Sequence, residues 1–309
     1  MAAESRTAIY ASIGANVAIA ITKFIVGAMA HSTAMLAEGV HSLVNCFDGG
    51  LLLLGQRRSR RPANDAHPFG YGREVYFWSL IVAILFFALG SGVTIYEGVR
   101  HVIEPGPLGD PTWSYVVIVF SALFDGGSFV VGLRQFRRHM RAPGYWRAVR
   151  RSKDPSLFSV VLEDAADLVG LTIAFVGVFL SHQLKMPVLD GIASIAIGVV
   201  LGAIATILLV ETHGLLVGEA ASPELIDAIQ RTVLEEEGVR AASRPASLHV
   251  GPRDIVVALQ VEFEHTLTAE QVADSAAALD ERLRARYPAI QRVFVQPRRP
   301  AMAMGKLLT

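Results

Sequence analysis

In the stretch AEGVHSLVNCFDGG, Glu38, Asn45 and Asp48 stand at offsets of −3, +4 and +7 from His41. A helix with about 3.6 residues per turn puts all four on one face. A second stretch, VVLEDAADLVG, holds Glu163, Asp164 and Asp167. Glu163 and Asp167 lie one turn apart and share a face, while Asp164 points about 100° away from Glu163. Imidazole, carboxylate and amide oxygen are metal-ligand chemistry, and a nitrogen–oxygen set of this kind suits a divalent first-row cation, zinc first. A lone buried His or Asp could merely hold a neighbour. Seven polar groups on two apolar stretches exceed what interhelical hydrogen bonding needs, since Ser, Thr and Asn meet that need.

The surroundings are what make these groups unusual. Of 309 residues, 52% are hydrophobic and only 18% charged, with a mean hydropathy of +0.43. Basic and acidic side chains balance at 28 each. That composition argues against a soluble globular protein, a disordered chain or a nucleic-acid binder, and points to the bilayer. A single cysteine, Cys46, excludes an intrachain disulfide and a Cys-rich metal cage. Six apolar stretches have about the 20 residues a bilayer crossing needs: Ala8–Ala28, Ser32–Leu54, Val75–Tyr96, Trp113–Leu133, Leu157–Leu180 and Val188–Val210. Ionisable residues inside such spans are functional candidates by default.

Charge in the loops sets the orientation. The loops after the second and fourth spans carry Arg57, Arg58, Arg60, Arg61 and Arg73, then seven arginines from Arg134 to Arg151 and Lys153. The other three loops carry only Arg100 and Lys185. The positive-inside rule therefore places both termini in the cytoplasm. Tyr76, Trp78, Trp113, Tyr115 and Trp146 fall near span ends, as interfacial aromatics do.

With that orientation, depth follows from a rise of 1.5 Å per residue: His41 lies roughly 14 Å from the outer end of its span and Asn45 near 20 Å, while Glu163 and Asp167 lie roughly 9 and 15 Å from the inner end of theirs. In a core of about 30 Å, His41 levels with Asp167 and Asn45 with Glu163. Two antiparallel spans would thus present His41, Asn45, Glu163 and Asp167 as one metal site near the midplane. Asp48 is a possible accessory ligand. Glu38 and Asp164 read as supporting or packing residues, and Asp125, in the fourth span, has no partner assignable from sequence. Lys23 is expected to snorkel toward the outer interface, with a salt bridge as the alternative.

Composition changes near Gly214. Ser222-Pro223 reads as an N-cap and first-turn proline, ahead of a stripe of Leu225, Ile226, Ile229 and Val233, with Gly238 as a stop. Val257, Leu259, Val261 and Phe263 alternate with polar or small residues, the period of a half-buried strand. Thr268 and Gln271 form a capping box before a helix with Val272, Ala276, Leu279 and Leu283 inward. A last strand is expected near Arg292–Gln296. The order helix–strand–strand–helix–strand predicts a small, ferredoxin-like α+β domain. The expected division is a six-helix transmembrane domain over 1–212 and a cytoplasmic α+β dimerisation domain over 213–309.

The stretches HSTAMLAEGVHSLVN, HPFGYGREVYFWSLIVAILFFALG, KDPSLFSVVLEDAADLVGL and HVGPRDIVVALQVEF resemble the cation diffusion facilitator family of divalent-metal exporters. The resemblance covers the whole chain and is to the branch containing bacterial homologues of zinc transporter nine. It implies a transport site of two residues four apart on span two and two on span five, which here are His41 with Asn45 and Glu163 with Asp167. It further implies proton-coupled antiport by alternating access within a homodimer. The second span-two position is usually Asp in the family and is Asn45 here. Glu163 stands at a position often His, which hardens the site and admits Mn²⁺ or Fe²⁺ as cargo. Some members bind extra metal after span two and in the tail. Here the loop keeps Asp65 and His67 as possible accessory ligands, but Tyr71 stands where a further His would be, and Phe294 and Gln296 stand where the tail ligands would be. A tail metal site is therefore not expected, and His249 and His265 read as ordinary residues.

The expected function is a secondary transporter moving a divalent cation, zinc foremost, out of the cytoplasm in exchange for protons. Expected partners are the metal ion, protons, the lipid bilayer and a second copy of the chain, with no nucleic acid and no resident cofactor. Asn45 motivates a different reading, a non-transporting scaffold subunit of another transporter. An enzyme is not expected: the chain has no Ser–His–Asp set, no Gly-rich phosphate loop and no H-E-x-x-H. With no targeting segment read and 24 Arg against 4 Lys, a bacterial plasma membrane is the expected location.

Overall fold

A computed structural model of the chain describes residues 17–107, 109–139 and 152–298. The described chain runs α1 (Val17–Met29), α2 (Thr33–Ser59), α3 (Glu74–Ile103), α4 (Thr112–His139), α5 (Pro155–Gln183), α6 (Val188–Val217), α7 (Pro223–Leu234), β1 (Val239–Ala242), β2 (Ala246–Gly251), β3 (Asp254–Phe263), α8 (Ala269–Arg286) and β4 (Ile290–Pro297). Its described residues divide into two compact units, one within Met1–Arg58 and Glu74–His213, the other within Ser59–Arg73 and Gly214–Thr309. The segment Ser59–Arg73, read from sequence as a loop of the first domain, groups with the second.

The first unit is a helical membrane domain. Four helices are long and apolar enough to cross a membrane: Glu74–Ile103, Thr112–Arg134, Phe158–Gln183 and Val188–Val217. The expected six are not reached on that criterion. The first span is described only from Val17 to Met29, and Ala8–Asn16 lies outside the described residues, as do Trp146 and the arginines from Arg141 to Arg151. α2 has the length, at 27 residues, but Glu38, His41, Asn45 and Asp48 lower its hydropathy. The residues that make it chemically interesting are those that make it a poor apolar span.

α3 carries a feature with no sequence signal. Phe86–Val93 winds as a π-helix in mid-span, and Ser91 Oγ donates to Gly198 O of α6 at 2.7 Å. π-helical segments concentrate at functional sites, and Phe86 packs edge-on to the His41 ring, centroids 5.2 Å apart. Glycines let α3 and α6 approach backbone to backbone, as expected for membrane helices. A Cβ at Gly98 would stand 2.9 Å from Gly191 O.

α2 begins on a cap supplied from far away. The buried Asp190 carboxylate of α6 accepts from Ser32 Oγ (2.8 Å), Thr33 N, Thr33 Oγ1 (2.9 Å) and Ala34 N (3.2 Å). It satisfies first-turn amides and opposes the positive end of the helix dipole. Asp190→Ala removes all four bonds, so it is expected to cost about 2–3 kcal/mol, seen as a fall of about 5–10 °C in the melting of detergent-solubilised protein. An unchanged melt would mean that α2 is not held at this end. α4 begins more locally: Asp110 Oδ1 accepts from Thr112 Oγ1 at 2.7 Å and Thr112 N at 3.0 Å. Those bonds, the side-chain one foremost, hold its carboxyl below the usual range.

The second unit follows its local signals. Ser222 Oγ accepts from Leu225 N, with Pro223 in the first turn of α7. Thr268 and Gln271 form the reciprocal capping box of α8. Gly238, at φ +82°, makes the turn into β1. Along β3, Ile255, Val257, Leu259, Val261 and Phe263 are buried against Ile226, Ile229 and Val233 of α7 and Leu279 and Leu283 of α8. β1 and β2 pair antiparallel with successive parts of the same edge of β3, from Val239 opposite Phe263 to Gly251 opposite Asp254. Pro245, which has no N–H to donate, lies at the break between them. β4 runs parallel to β3 on the other edge, Ile255 opposite Ile290 through Val261 opposite Pro297. The domain therefore has one strand more than expected before α8, β1 and β2 lying along the same edge of β3, and β4 is longer than expected.

Candidate metal site

α2 and α5 bring the proposed ligands together. His41 is fully buried, and its Nε2 is in direct contact with Asp167 Oδ1. One turn along α2, Asn45 Nδ2 donates to the other oxygen, Asp167 Oδ2, at 2.8 Å, and lies 3.4 Å from His41 Nε2. Asp167 therefore receives both α2 residues. His41 opposite Asp167 is the pairing that depth required, whereas Asn45 turns to Asp167 instead of Glu163. Glu163, one turn earlier on α5, is buried with Oε1 lacking a hydrogen-bond partner. Asn45 Oδ1 and His41 Nδ1 are likewise buried and unpartnered.

Beside these residues lies a cavity of about 740 Å³, lined by Asn45, Asp125, Glu163, Asp164 and Asp167 among others. Asp125, without a partner in sequence, faces this space. Asp164 is held on its α4 side, accepting from Ser128 Oγ at 2.9 Å. Asp48 is fully buried with both carboxylate oxygens unpartnered. Among the described residues, no group of three or more His, Cys, Asp or Glu side chains stands close enough to hold a metal ion. The arrangement is an imidazole–carboxylate–amide cluster with Glu163 facing the same cavity.

Lys23 takes the alternative, a salt bridge, and does not snorkel. It does not reach the interface: it is fully buried, with Nζ 3.1 Å from Glu38 Oε2 and donating to Ser42 Oγ at 2.9 Å. The signal was present in the sequence. Lys23 lies six residues before the end of α1 and Glu38 five after the start of α2, hence at matching depth across a short connection.

Residues 9–217 match the cation efflux transmembrane domain. The chain belongs to the cation efflux family. The human mitochondrial proton-coupled zinc antiporter SLC30A9 is 28% identical over 244 residues, 78% of this chain and 43% of that protein. Metal tolerance protein C4 of Arabidopsis thaliana is 28% identical over 269 residues, 86% of this chain and 59% of its own. Magnetosome protein MamB of Paramagnetospirillum magneticum is 24% identical over 292 residues, 94% and 93% of the two chains. This chain thus spans less than half the length of its SLC30A9 relatives. Its family is one of membrane transporters, not of enzymes.

In this cation efflux protein the accessory candidates after α2 lie in a turn. His67 N donates to Asn64 Oδ1 at 2.8 Å, its ring lies against Tyr71 with centroids 4.2 Å apart, and Asn64 Nδ2 donates to the Tyr71 hydroxyl at 3.0 Å. His67 thereby shapes a turn, and Asp65 beside it is exposed. Phe294, at a position the resemblance associates with tail ligands, instead meets Phe69, and Arg292 stacks over the Phe69 ring while donating to Pro68 O at 3.1 Å. His249 is buried on β2, and its Nδ1 lies 3.4 Å from Gly251 O.

Proposed function

We propose that this chain is a secondary transporter that carries a divalent metal cation, zinc foremost, out of the cytoplasm in exchange for protons, working as a homodimer in a cell membrane with both termini cytoplasmic. One observation carries the reading: His41 and Asn45 of α2 converge on Asp167 of α5 inside an apolar helical domain, beside a cavity that Glu163 also lines. The names of the antiporter and metal-tolerance relatives point the same way.

The four residues would act as follows. An imidazole binds metal through a neutral ring nitrogen and a carboxyl group binds as the carboxylate, so an incoming cation displaces protons. The Asn45 oxygen, unpartnered in the structure, is free to join them. Asn45 brings no charge and exchanges no proton, so coupling falls to His41, Glu163 and Asp167.

A second reading, a non-transporting scaffold subunit, has a specific observation behind it. Asn45 is spent on a hydrogen bond to Asp167, and no third His, Cys, Asp or Glu closes the set among the described residues. The oxygen-rich donors also fit a Mn²⁺ or Fe²⁺ exporter. Metal-driven proton flux in liposomes of purified protein, across Zn²⁺, Mn²⁺, Fe²⁺, Co²⁺, Ni²⁺ and Cd²⁺, decides among these. Selective flux with zinc is expected; flux with manganese or iron alone would change the cargo; no flux with any metal from folded protein would sink the transport reading.

A further inference from the structure

Two cavities approach the α1–α2 layer from opposite ends. The larger touches α1 at Ile19, α2 only from Ser42 toward Leu53, and α5 only from Asp167 back toward Val160. The smaller, about 240 Å³, touches α1 at Gly27 and Ala28 and α2 at Thr33 and Leu36. Between them lies one layer that neither cavity reaches. It contains Lys23 of α1 with Glu38 and His41 of α2, all fully buried.

Lys23 and Glu38 hold this layer shut. The ammonium binds Glu38 and Ser42, the residues on either side of the His41 turn. From α5, Gly170 completes the closure: a Cβ there would collide with Glu38 Oε1. That oxygen has no hydrogen-bond partner, so the pair is satisfied on one side only. A buried ion pair offers no net stability over apolar residues of similar size, and inside a bilayer its desolvation is costlier still. Its position between two cavities supplies a reason to keep it.

We propose that Lys23–Glu38 is a gate on the side of the metal site away from the large cavity, and that its rupture is the step that opens the site to the opposite face of the membrane. Closed, Lys23 puts a positive charge across the path of a cation, and Glu38 is neutralised. Open, Glu38 offers a free carboxylate one turn beyond His41, an attractive stepping point toward the smaller cavity. The idea rests on the transport reading above for its meaning, but its test needs no metal.

The test uses the protein's own thiol, Cys46, the single cysteine of the sequence, which lines the large cavity across the gate from the smaller one. Labelling by a membrane-impermeant maleimide is followed on intact spheroplasts. With the ion pair present, labelling should be slow. Lys23→Met alone strands a buried carboxylate and could misfold, so the decisive variant is Lys23→Met with Glu38→Gln, which removes both charges together. If a closed gate leaves the open state at about 0.1–10%, the neutral pair should label about tenfold faster. Exchanging the charges, Lys23→Glu with Glu38→Lys, should restore slow labelling. Equal labelling of the original and neutral pairs in folded protein would overturn the gate, whatever the liposome flux shows. Failure of flux with fast labelling in the neutral pair would instead keep the gate and remove the transport reading.

Discussion

Asp167→Ala is expected to abolish metal-driven proton flux and to weaken metal binding at least about a hundredfold. Even outer partners of metal ligands cost about 10–100-fold when removed, and Asp167 is more central than that. Its two carboxylate oxygens meet His41 and Asn45. Removing it leaves the imidazole without its carboxylate and Asn45 Nδ2 without its acceptor. Asp167→Asn separates charge from packing, because it keeps the volume and can still bond Asn45. If Asp167→Asn binds zinc as tightly as the unaltered protein in equilibrium dialysis, the carboxylate is not a ligand and the site has been misplaced.

Asn45→Asp is expected to tighten zinc binding about tenfold, or about 1.4 kcal/mol, and to lower stability without metal. Asn45 Nδ2 lies 2.8 Å from Asp167 Oδ2. An aspartate there would set two carboxylates against each other with no donor between them, and like charges so close disfavour joint ionisation. A divalent cation relieves that repulsion and gains a charged ligand. Melting should therefore start lower in the metal-free protein and rise further on adding zinc, since a ligand at about a hundred times its dissociation constant stabilises by about 2.7 kcal/mol. Higher flux from this variant would mark the natural site as a tuned transporter. If Asn45→Asp protein is folded and binds zinc no better, position 45 does not face the cargo. If both forms are also inert in liposomes, the scaffold reading is the one left standing.

Much of this protein was legible because its signals are local. Ser222 and Thr268 cap their helices through bonds to residues three positions on, so the spacing alone announces them. The alternation of Val257 to Phe263 names the buried face of β3 without knowledge of what covers it. Depth arithmetic placed His41 level with Asp167 because bilayer thickness and helix rise are constants. What lay beyond reach depended on contacts between distant parts of the chain. No local pattern ties Asp190 to the start of α2, with 158 positions between it and Ser32. Nothing in FFALGSGV announces a π-helical turn against His41.

The residue types and their spacing determined the apolar helices, the small α+β tail and the candidate ligands of α2 and α5, since each follows from periodicity and polarity along one element. Only the tertiary structure decided how those ligands share their bonds. It turned Asn45 to Asp167, left Glu163 facing open space, and buried Lys23 against Glu38. Inside an apolar domain a polar group takes whichever partner the packing brings within reach, and which partner that is depends on helix rotation that a single strand of sequence does not record.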